Sequence, residues 1–404
     1  MKILHTSDWH LGHKLLDNSQ HEEQQMFLDW LLKVIVQENI DVLLMSGDLF
    51  DTSNPSHQSQ EQYYNFLKGL RNTQCYHTVI TGGNHDSPGT LNAPKRILDL
   101  LNISVVGKAT EDPEDEIILI KDKAGNPVLA VAAVPYLRDQ DIRLAVQGET
   151  FEQIETKYKK ALVNHYQQVG EAISQHKENG LPTIAMGHLF AIGGSTAESE
   201  KQIYVGNLGH IGAENFPEVF DYVALGHLHR PQVVGNMPHI RYSGSPIALS
   251  FSEARDTKKV CILETEGDKA VLTKELTIPT FRPLLKLKGN LEEVQAQIKS
   301  YSEEHLLRPW AEVVVKLSAY DPKITDKIYE AAQGAQMEIL KISTTGIASQ
   351  HYEDSIFEGK QSLQELTPEE VFRKKCEMRQ FDLDSNPDIL DAFQELYTAI
   401  LDNE

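Results

Sequence analysis

Four apolar runs each end in Gly followed at once by a side chain able to bind a metal. They are DVLLMSGD with Gly47 and Asp48, TVITGGNHD with Gly83, Asn84 and His85, PTIAMGH with Gly187 and His188, and YVALGHLH with Gly226, His227 and then His229. A fifth run, KILHTSDWH, opens the chain with Asp8 and His10. If the ends of these runs coincide, Asp8, His10, Asp48, Asn84, His188, His227 and His229 form a set of carboxylate, amide and imidazole donors without a thiolate. Such a set suits two divalent cations better than one structural zinc. His227 and His229 stand two apart, so on extended backbone their side chains point the same way and reach one site.

These donors need a sheet edge to bring them together. Short runs of Val, Ile, Leu and Met read as strands buried on both faces, and Gly at their ends lets the backbone turn sharply into a loop. Ser19 with Glu22 forms a capping-box pattern ahead of an amphipathic stretch from about Gln24 to Gln37, and the Asp48 strand follows, giving a βαβ rhythm. Residues 57–72 read as a second helix. VLAVAAVPY reads as a further strand ending at Pro135, and residues about 151–178 as a long polar helix before PTIAMGH. HIRYSGSP and KKVCILETE make the second half more purely β. The alternation predicts an α/β fold, a layered β-sandwich with helices outside, over residues 1–275. Pro279 and Pro283 mark a boundary. Residues 280–348 then read as a compact βαβαβ unit, a small α+β capping domain. The segment 360–404 reads as C-terminal helices, with a capping box at Thr367 and Glu370, Pro368 at the first helical position, and an apolar stripe of Ile389, Phe393, Leu396 and Ile400.

A chain of 404 residues suggests two or three domains at roughly 150 residues each. With 40% hydrophobic and 24% charged residues it is globular in type, without low-complexity tracts. The start of the chain lacks the apolar core of a signal peptide, and no apolar stretch approaches the roughly 18 residues of a membrane helix, so a cytoplasmic location is expected. Cys75, Cys261 and Cys376 are widely spaced and outside any CxxC pattern, which argues for buried thiols and against a disulfide framework. A net charge of −21 argues against binding nucleic acid through bulk positive potential. It leaves room for a nuclease whose cations supply local positive charge and whose partner supplies further surface.

The motifs DxH, GDxxD, GNHD, GH and GHxH, in this order, resemble those of the calcineurin-like metallophosphoesterase superfamily. HLFAIGGSTAESE, FDYVALGHLHRPQ and YSGSPIALSFSE are similar to the SbcD nuclease family within it. The resemblance spans residues 1 to about 255. It implies one metal held by Asp8, His10, Asp48 and His229 and another by Asp48, Asn84, His188 and His227, with Asp48 bridging. It makes His85 a catalytic residue that protonates the leaving group or stabilises charge developing on phosphorus, and Asp86 is the expected orienting group. Two carboxylates against two dications leave the cluster net positive, which attracts a phosphodiester. The resemblance further implies Mn²⁺, DNA as substrate, 3′→5′ exonuclease and hairpin or single-strand endonuclease activity, and a homodimer within a heterotetramer formed with an SbcC-type, SMC-like ATPase. Such an enzyme is nucleoid-associated. The chain has no GxxxxGK[ST] loop, so ATP dependence has to come from another polypeptide, and the C-terminal stripe is the expected docking surface.

Two other readings compete. A small-molecule phosphodiesterase with the same metals predicts no preference for DNA. A catalytically silent scaffold has no reason to keep the ligand set and His85. Asp51 reads either as a tuning residue behind the ligands or as an Asx turn after GDLF. His5, His13, His57, His77 and His210 read as ordinary surface or core histidines. Lys14, Arg138, Arg143 and Arg230 read as loop cations, more simply solvated than bound to phosphate. Trp9 stands beside the metal loop as a substrate contact or a packed ring.

Overall fold

The computed structural model describes residues 1–142, 150–191, 210–319 and 321–346, with 372–373, 389–390 and 392–393. The chain divides into two compact units. One comprises residues 1–286 with 302–312 and 336–340, and the other comprises 287–301, 313–335 and 341–404.

The first unit is built on two six-stranded sheets. In one, the strands Lys2–Thr6, Val42–Ser46, His77–Thr81 and Ile103–Val106 run parallel, and the hairpin Lys259–Glu266 and Lys269–Thr277 continues the sheet antiparallel beyond Lys2–Thr6. In the other, Pro127–Ala133, Thr183–His188, Tyr222–Gly226 and Met237–Tyr242 run parallel, with Ile117–Lys121 and Gln232–Val234 antiparallel at the edges.

Side chains alternate across each strand and both faces are buried, as the continuous apolar runs require. Ile3, Val42, Leu44 and Val79 of the first sheet meet Val131, Ala133, Ile184, Met186, Tyr222 and Ala224 of the second in one core. On the far side of the first sheet, Leu4, Leu43, Met45 and Ile80 pack against Phe27, Leu31 and Ile35 of the helix His21–Gln37 and Phe66 and Leu70 of the helix His57–Leu70. On the far side of the second, Ala130, Ala132, Ala185 and Val223 pack against Tyr158, Leu162, Tyr166, Val169 and Ile173 of the helix Phe151–Glu178. This is a layered α/β sandwich with helices outside. Each fully buried aliphatic or aromatic side chain contributes about 1.5–3 kcal/mol.

The long helix occupies the span its pattern predicts. It starts on a capping box in which Thr150 accepts the amide of Gln153 and Gln153 returns a bond to the Thr150 amide. The capping box expected at Ser19 and Glu22 does not form: Ser19 lies in a short ribbon with Lys14–Leu15, and the first helix begins at His21 behind Gln20 without a side-chain cap. Gln20 is instead committed to tertiary contact, its amide donating to the Ala248 carbonyl at 3.0 Å.

The later elements follow the order strand Leu284–Gly289, helix Leu291–Ser300, strand Trp310–Lys316, helix Ile324–Ala331, strand Glu338–Thr345, with Trp310–Lys316 central in its sheet. Asn290 and Glu293 cap the first of these helices reciprocally at 2.9 and 2.8 Å. Thr367, Pro368, Glu370, Leu396, Ile400 and Cys376 lie outside the described residues. Within the stripe, Ile389 and Phe393 are helical, and the Phe393 ring stacks on Phe372. Cys75 and Cys261 are free thiols. No helix among the described residues is long and apolar enough to cross a membrane.

Candidate metal centre

Every predicted donor lies at the C-terminal end of a parallel strand, where an open α/β sheet leaves loops free to bind ligands. Asp8 and His10 follow Lys2–Thr6, Asp48 follows Val42–Ser46, Asn84 and His85 follow His77–Thr81, His188 closes Thr183–His188, and His227 and His229 follow Tyr222–Gly226. The two sheets approach closely here, joined by a 2.9 Å bond from Ser46 Oγ to the Ala224 carbonyl. That approach explains two of the glycines. Gly47 does turn the chain, at φ +80°, but a Cβ on Gly83 would lie 2.1 Å from Asp48 Oδ1, and one on Gly226 would lie 1.9 Å from the Ser46 carbonyl oxygen.

Left-handed backbone aims the donors inward. Asp8 (φ 54°), His10 (44°), Asp48 (54°) and His227 (102°) all have positive φ, a conformation costing about 1–3 kcal/mol at a non-glycine residue. Hydrogen bonds hold it. The amides of Asp8 and His10 donate to the carbonyls of Gly47 and Asp48 at 3.0 Å each, and the His227 amide donates to Asp8 Oδ1 at 2.8 Å.

The seven donors gather as two adjoining groups. Donor atoms of Asp8, His10 and His229 lie within 4.8 Å of one another, as do those of Asp48, His188 and His227. Asn84 joins the second group, its Oδ1 standing 3.0 Å from His188 Nε2 and 2.9 Å from His227 Nδ1. Asp48 lies between the groups, with Oδ2 3.1 Å from His188 Nε2 and 3.5 Å from His10 Nε2.

The arrangement fits a cation at each group. His188 Nδ1 donates to the Ser46 carbonyl at 3.0 Å, so Nε2 is a lone pair unless the ring is cationic, yet it faces the oxygens of Asp48 and Asn84. His10 Nε2 is buried and makes no hydrogen bond. Lone pairs converging in a dry site repel one another, and a dication is the group that satisfies them together.

The titration behaviour agrees. Burial disfavours a charged His188, but the Asp48 carboxylate beside it outweighs burial and raises its pKa to about 9. Burial pushes Asp48 upward, and His188 more than reverses that, holding the carboxyl well below its usual range. Burial and then the neighbouring His188 bring His227 down to about 3, so that ring is a neutral, ligand-ready base.

A metal therefore competes with a proton for His188. Loading at neutral pH should release about one proton from this residue, and apparent affinity should rise about tenfold per pH unit until pH nears 9. Calorimetry in buffers of different ionisation enthalpy measures the release, and a pH-independent affinity between 6 and 8 would contradict it.

Behind the donors lies a layer of carboxylates. Asp51 Oδ1 accepts from His10 Nδ1 at 3.2 Å and His13 Nδ1 at 2.9 Å, which directs His10 Nε2 into the site. Asp51 thus supports the ligands through its side chain. Burial raises the Asp51 carboxyl and bonds from His10 and His13 more than offset this, leaving it well below the usual range. On the other side Glu253 Oε1 stands 3.6 Å from His229 Nδ1, and Glu253 Oε2 is bound at 2.6 Å by buried Lys258, which also donates to the His229 carbonyl at 2.9 Å.

His85 is held by its neighbours in the loops. Its amide donates to Asp48 Oδ1 at 2.9 Å and its ring Nδ1 to the Asp51 carbonyl at 2.8 Å. Nε2 is left as the functional nitrogen. His10, Asp51 and His85 also cluster, but these bonds account for the contact as support. The expectation that Asp86 orients His85 is not met. Asp86 accepts the amides of Gly83, Leu49 and Phe50 at 2.9, 3.1 and 3.0 Å, tying the two loops together. Burial and then the charge of Asp48 raise its pKa to about 6 despite those bonds.

His13, Glu253 and Lys258 escaped the sequence reading. Glu253 ends the YSGSPIALSFSE segment, so the signal was present, whereas nothing local marks Lys258 or His13. His5 is a buried core histidine bonded to Tyr222 Oη at 3.1 Å. Trp9 packs edge-on against Phe27 and Phe66 and donates to Thr6 Oγ1 at 3.0 Å, so it is a core ring. Lys14 is exposed, Arg230 pairs with Asp256 at 2.9 Å, and Arg143 lies outside the described residues.

The calcineurin-like phosphoesterase family model matches residues 1–231, which contain all eight predicted site residues. A model described as type 5 capsule protein repressor C-terminal domain matches residues 280–380. The SbcD component of nuclease SbcCD from Escherichia coli K12 is 33% identical over 403 residues, 99% of this chain and 98% of that protein. Its counterpart of the same name from Rhodobacter capsulatus is 33% identical over 391 residues, 92% of this chain and 93% of that one. The one from Bacillus subtilis is 33% identical over 325 residues, 79% and 80%.

Proposed function

The chain belongs to the calcineurin-like phosphoesterases and, within them, to the SbcD nuclease family, and from that premise we propose that it is a Mn²⁺-dependent DNA nuclease working through two metals. It is a metal-dependent hydrolase of phosphodiester bonds. The observation that carries the proposal is the gathering of seven donors into two groups that meet at Asp48, with the same carboxylate fixing the His85 amide.

Two divalent cations there would polarise the phosphoryl oxygens and lower the pKa of water to near neutrality. Oxygen and imidazole donors without thiolate suit manganese. The chain's own groups do the rest. Asp8 and Asp48 supply the negative charge, and Asp51 and Glu253 orient His10 and His229. His85, its Nδ1 proton committed to the Asp51 carbonyl, offers Nε2 to protonate the leaving oxygen as the P–O bond breaks.

We assign residues 1–275 to the nuclease domain, 280–348 to recognition of DNA ends, and 360–404 to docking of an SbcC-type ATPase, in a heterotetramer with two copies of each chain acting on nucleoid DNA. The relatives are named as one part of a two-part nuclease, SbcCD, which supports the pairing.

Purified protein with Mn²⁺ should degrade end-labelled linear duplex and open hairpins, more strongly with the ATPase, and chelation should stop it. Truncation before residue 360 should leave single-strand cleavage intact and abolish co-purification with the ATPase. Hydrolysis of small diesters with no cleavage of DNA would overturn the nuclease reading. Retained co-purification would move the docking surface elsewhere.

A further inference from the structure

We propose that Arg138 binds substrate at this centre, its guanidinium holding a phosphate next to the scissile one on the same strand; the inference rests on the nucleic-acid reading above. Arginines elsewhere in this acidic chain are neutralised by carboxylates. Arg230 binds Asp256 at 2.9 Å, Arg282 binds Glu22 at 3.1 Å, and Arg241 pairs with Glu275. Arg138 is half-buried and has no carboxylate partner among the described residues. Its hydrogen bond is from Nη2 to the Asp86 carbonyl at 3.0 Å.

That bond places the guanidinium beside the residue that follows His85. The segment leading to it runs along the Asn84 and His188 side of the centre. The Tyr136 amide donates to the Gly82 carbonyl at 2.7 Å, and the Tyr136 ring centroid lies 6.2 Å from that of His188. Val134 and Leu137 are buried, and Tyr158 Oη donates to the Leu137 carbonyl, so the segment is braced on both sides of Tyr136.

A guanidinium carries five N–H donors in a planar fork. One carbonyl engages one of them. Half-burying the remainder without an acceptor is unfavourable, and a phosphate, which takes two parallel N–H bonds, is the acceptor that fits the fork. The metal ligands and His85 already serve the scissile phosphate. A nucleic-acid strand carries another at the next nucleotide, and a small diester does not.

Steady-state kinetics on a labelled oligonucleotide and on bis(p-nitrophenyl) phosphate, with Arg138→Ala and Arg138→Lys, test this. For Arg138→Ala the oligonucleotide KM should rise about tenfold, and the ratio of kcat/KM for oligonucleotide over small diester should fall by a similar factor. Oligonucleotide binding by the full chain in metal-free buffer, read by fluorescence anisotropy, should show a log–log salt slope shallower by about 0.7. Arg138→Lys should restore the slope, which counts charge, and recover KM only in part. Equal losses on both substrates, or an unaltered salt slope, would show that Arg138 merely braces the Asp86 loop. If the unsubstituted protein cleaves the small diester and leaves DNA intact, the nucleic-acid reading itself fails.

Discussion

His85→Ala should lower kcat by about 10²–10⁴-fold while leaving the number of bound cations unchanged. The ring is fixed only by its own bond to the Asp51 carbonyl, and its amide, which holds Asp48 Oδ1, survives truncation to Ala. Ligand geometry therefore persists when the proton donor is gone. A loss of that size corresponds to about 3–5 kcal/mol of transition-state stabilisation. Metal titration by calorimetry beside single-turnover kinetics separates the two functions. A variant that no longer binds its cations would put His85 among the ligands. One that retains turnover within a few-fold would assign leaving-group protonation to another residue.

Asp48→Ala should be more destructive, because one side chain serves both groups of donors. Metal affinity should fall by on the order of 100-fold or more, beyond what removal of an outer-layer carboxylate does, and turnover should vanish with it. An independent signature exists in the metal-free protein. Burial lowers the His188 pKa, and the Asp48 carboxylate is the largest influence raising it to about 9. In the variant burial dominates, so the His188 ring should titrate below its ordinary 6.5. The folded-state pKa of His188 lies above its unfolded value, so its stabilisation is fully present below pH 6.5 and disappears as pH rises through about 9. Asp48→Ala should remove that slope from the metal-free stability profile. NMR titration of the histidine ring protons checks the first point, and an unshifted His188 would mean that Asp8 or Ser46 supplies the effect.

Several features were readable locally because their causes are local. The Phe151–Glu178 helix follows from its periodicity and the Thr150 cap, and the buried strands from continuous runs such as VLLMS and TIAMGH. The donors were visible because each sits within three residues of a strand end. Local rules failed where distant contacts compete. Ser19 and Glu22 have the capping spacing, but Gln20 is drawn to Ala248, a residue 228 positions away.

The sequence by itself determined the list of donors, the strands that bear them and their common end of the sheets, since these depend on residue type and the two-residue period of a strand. Only the tertiary structure decided how the donors are held. Asp51 reaching back 38 positions to His13, Lys258 tied to the His229 carbonyl 29 positions earlier, and the left-handed turns at Asp8, His10, Asp48 and His227 all arise from the close approach of two sheets. The glycines at that approach show the difference. Their sequence signature is a strand end, but Gly83 and Gly226 are required because any β-carbon would occupy the space of Asp48 and the Ser46 carbonyl, residues that come within contact only once the chain has folded.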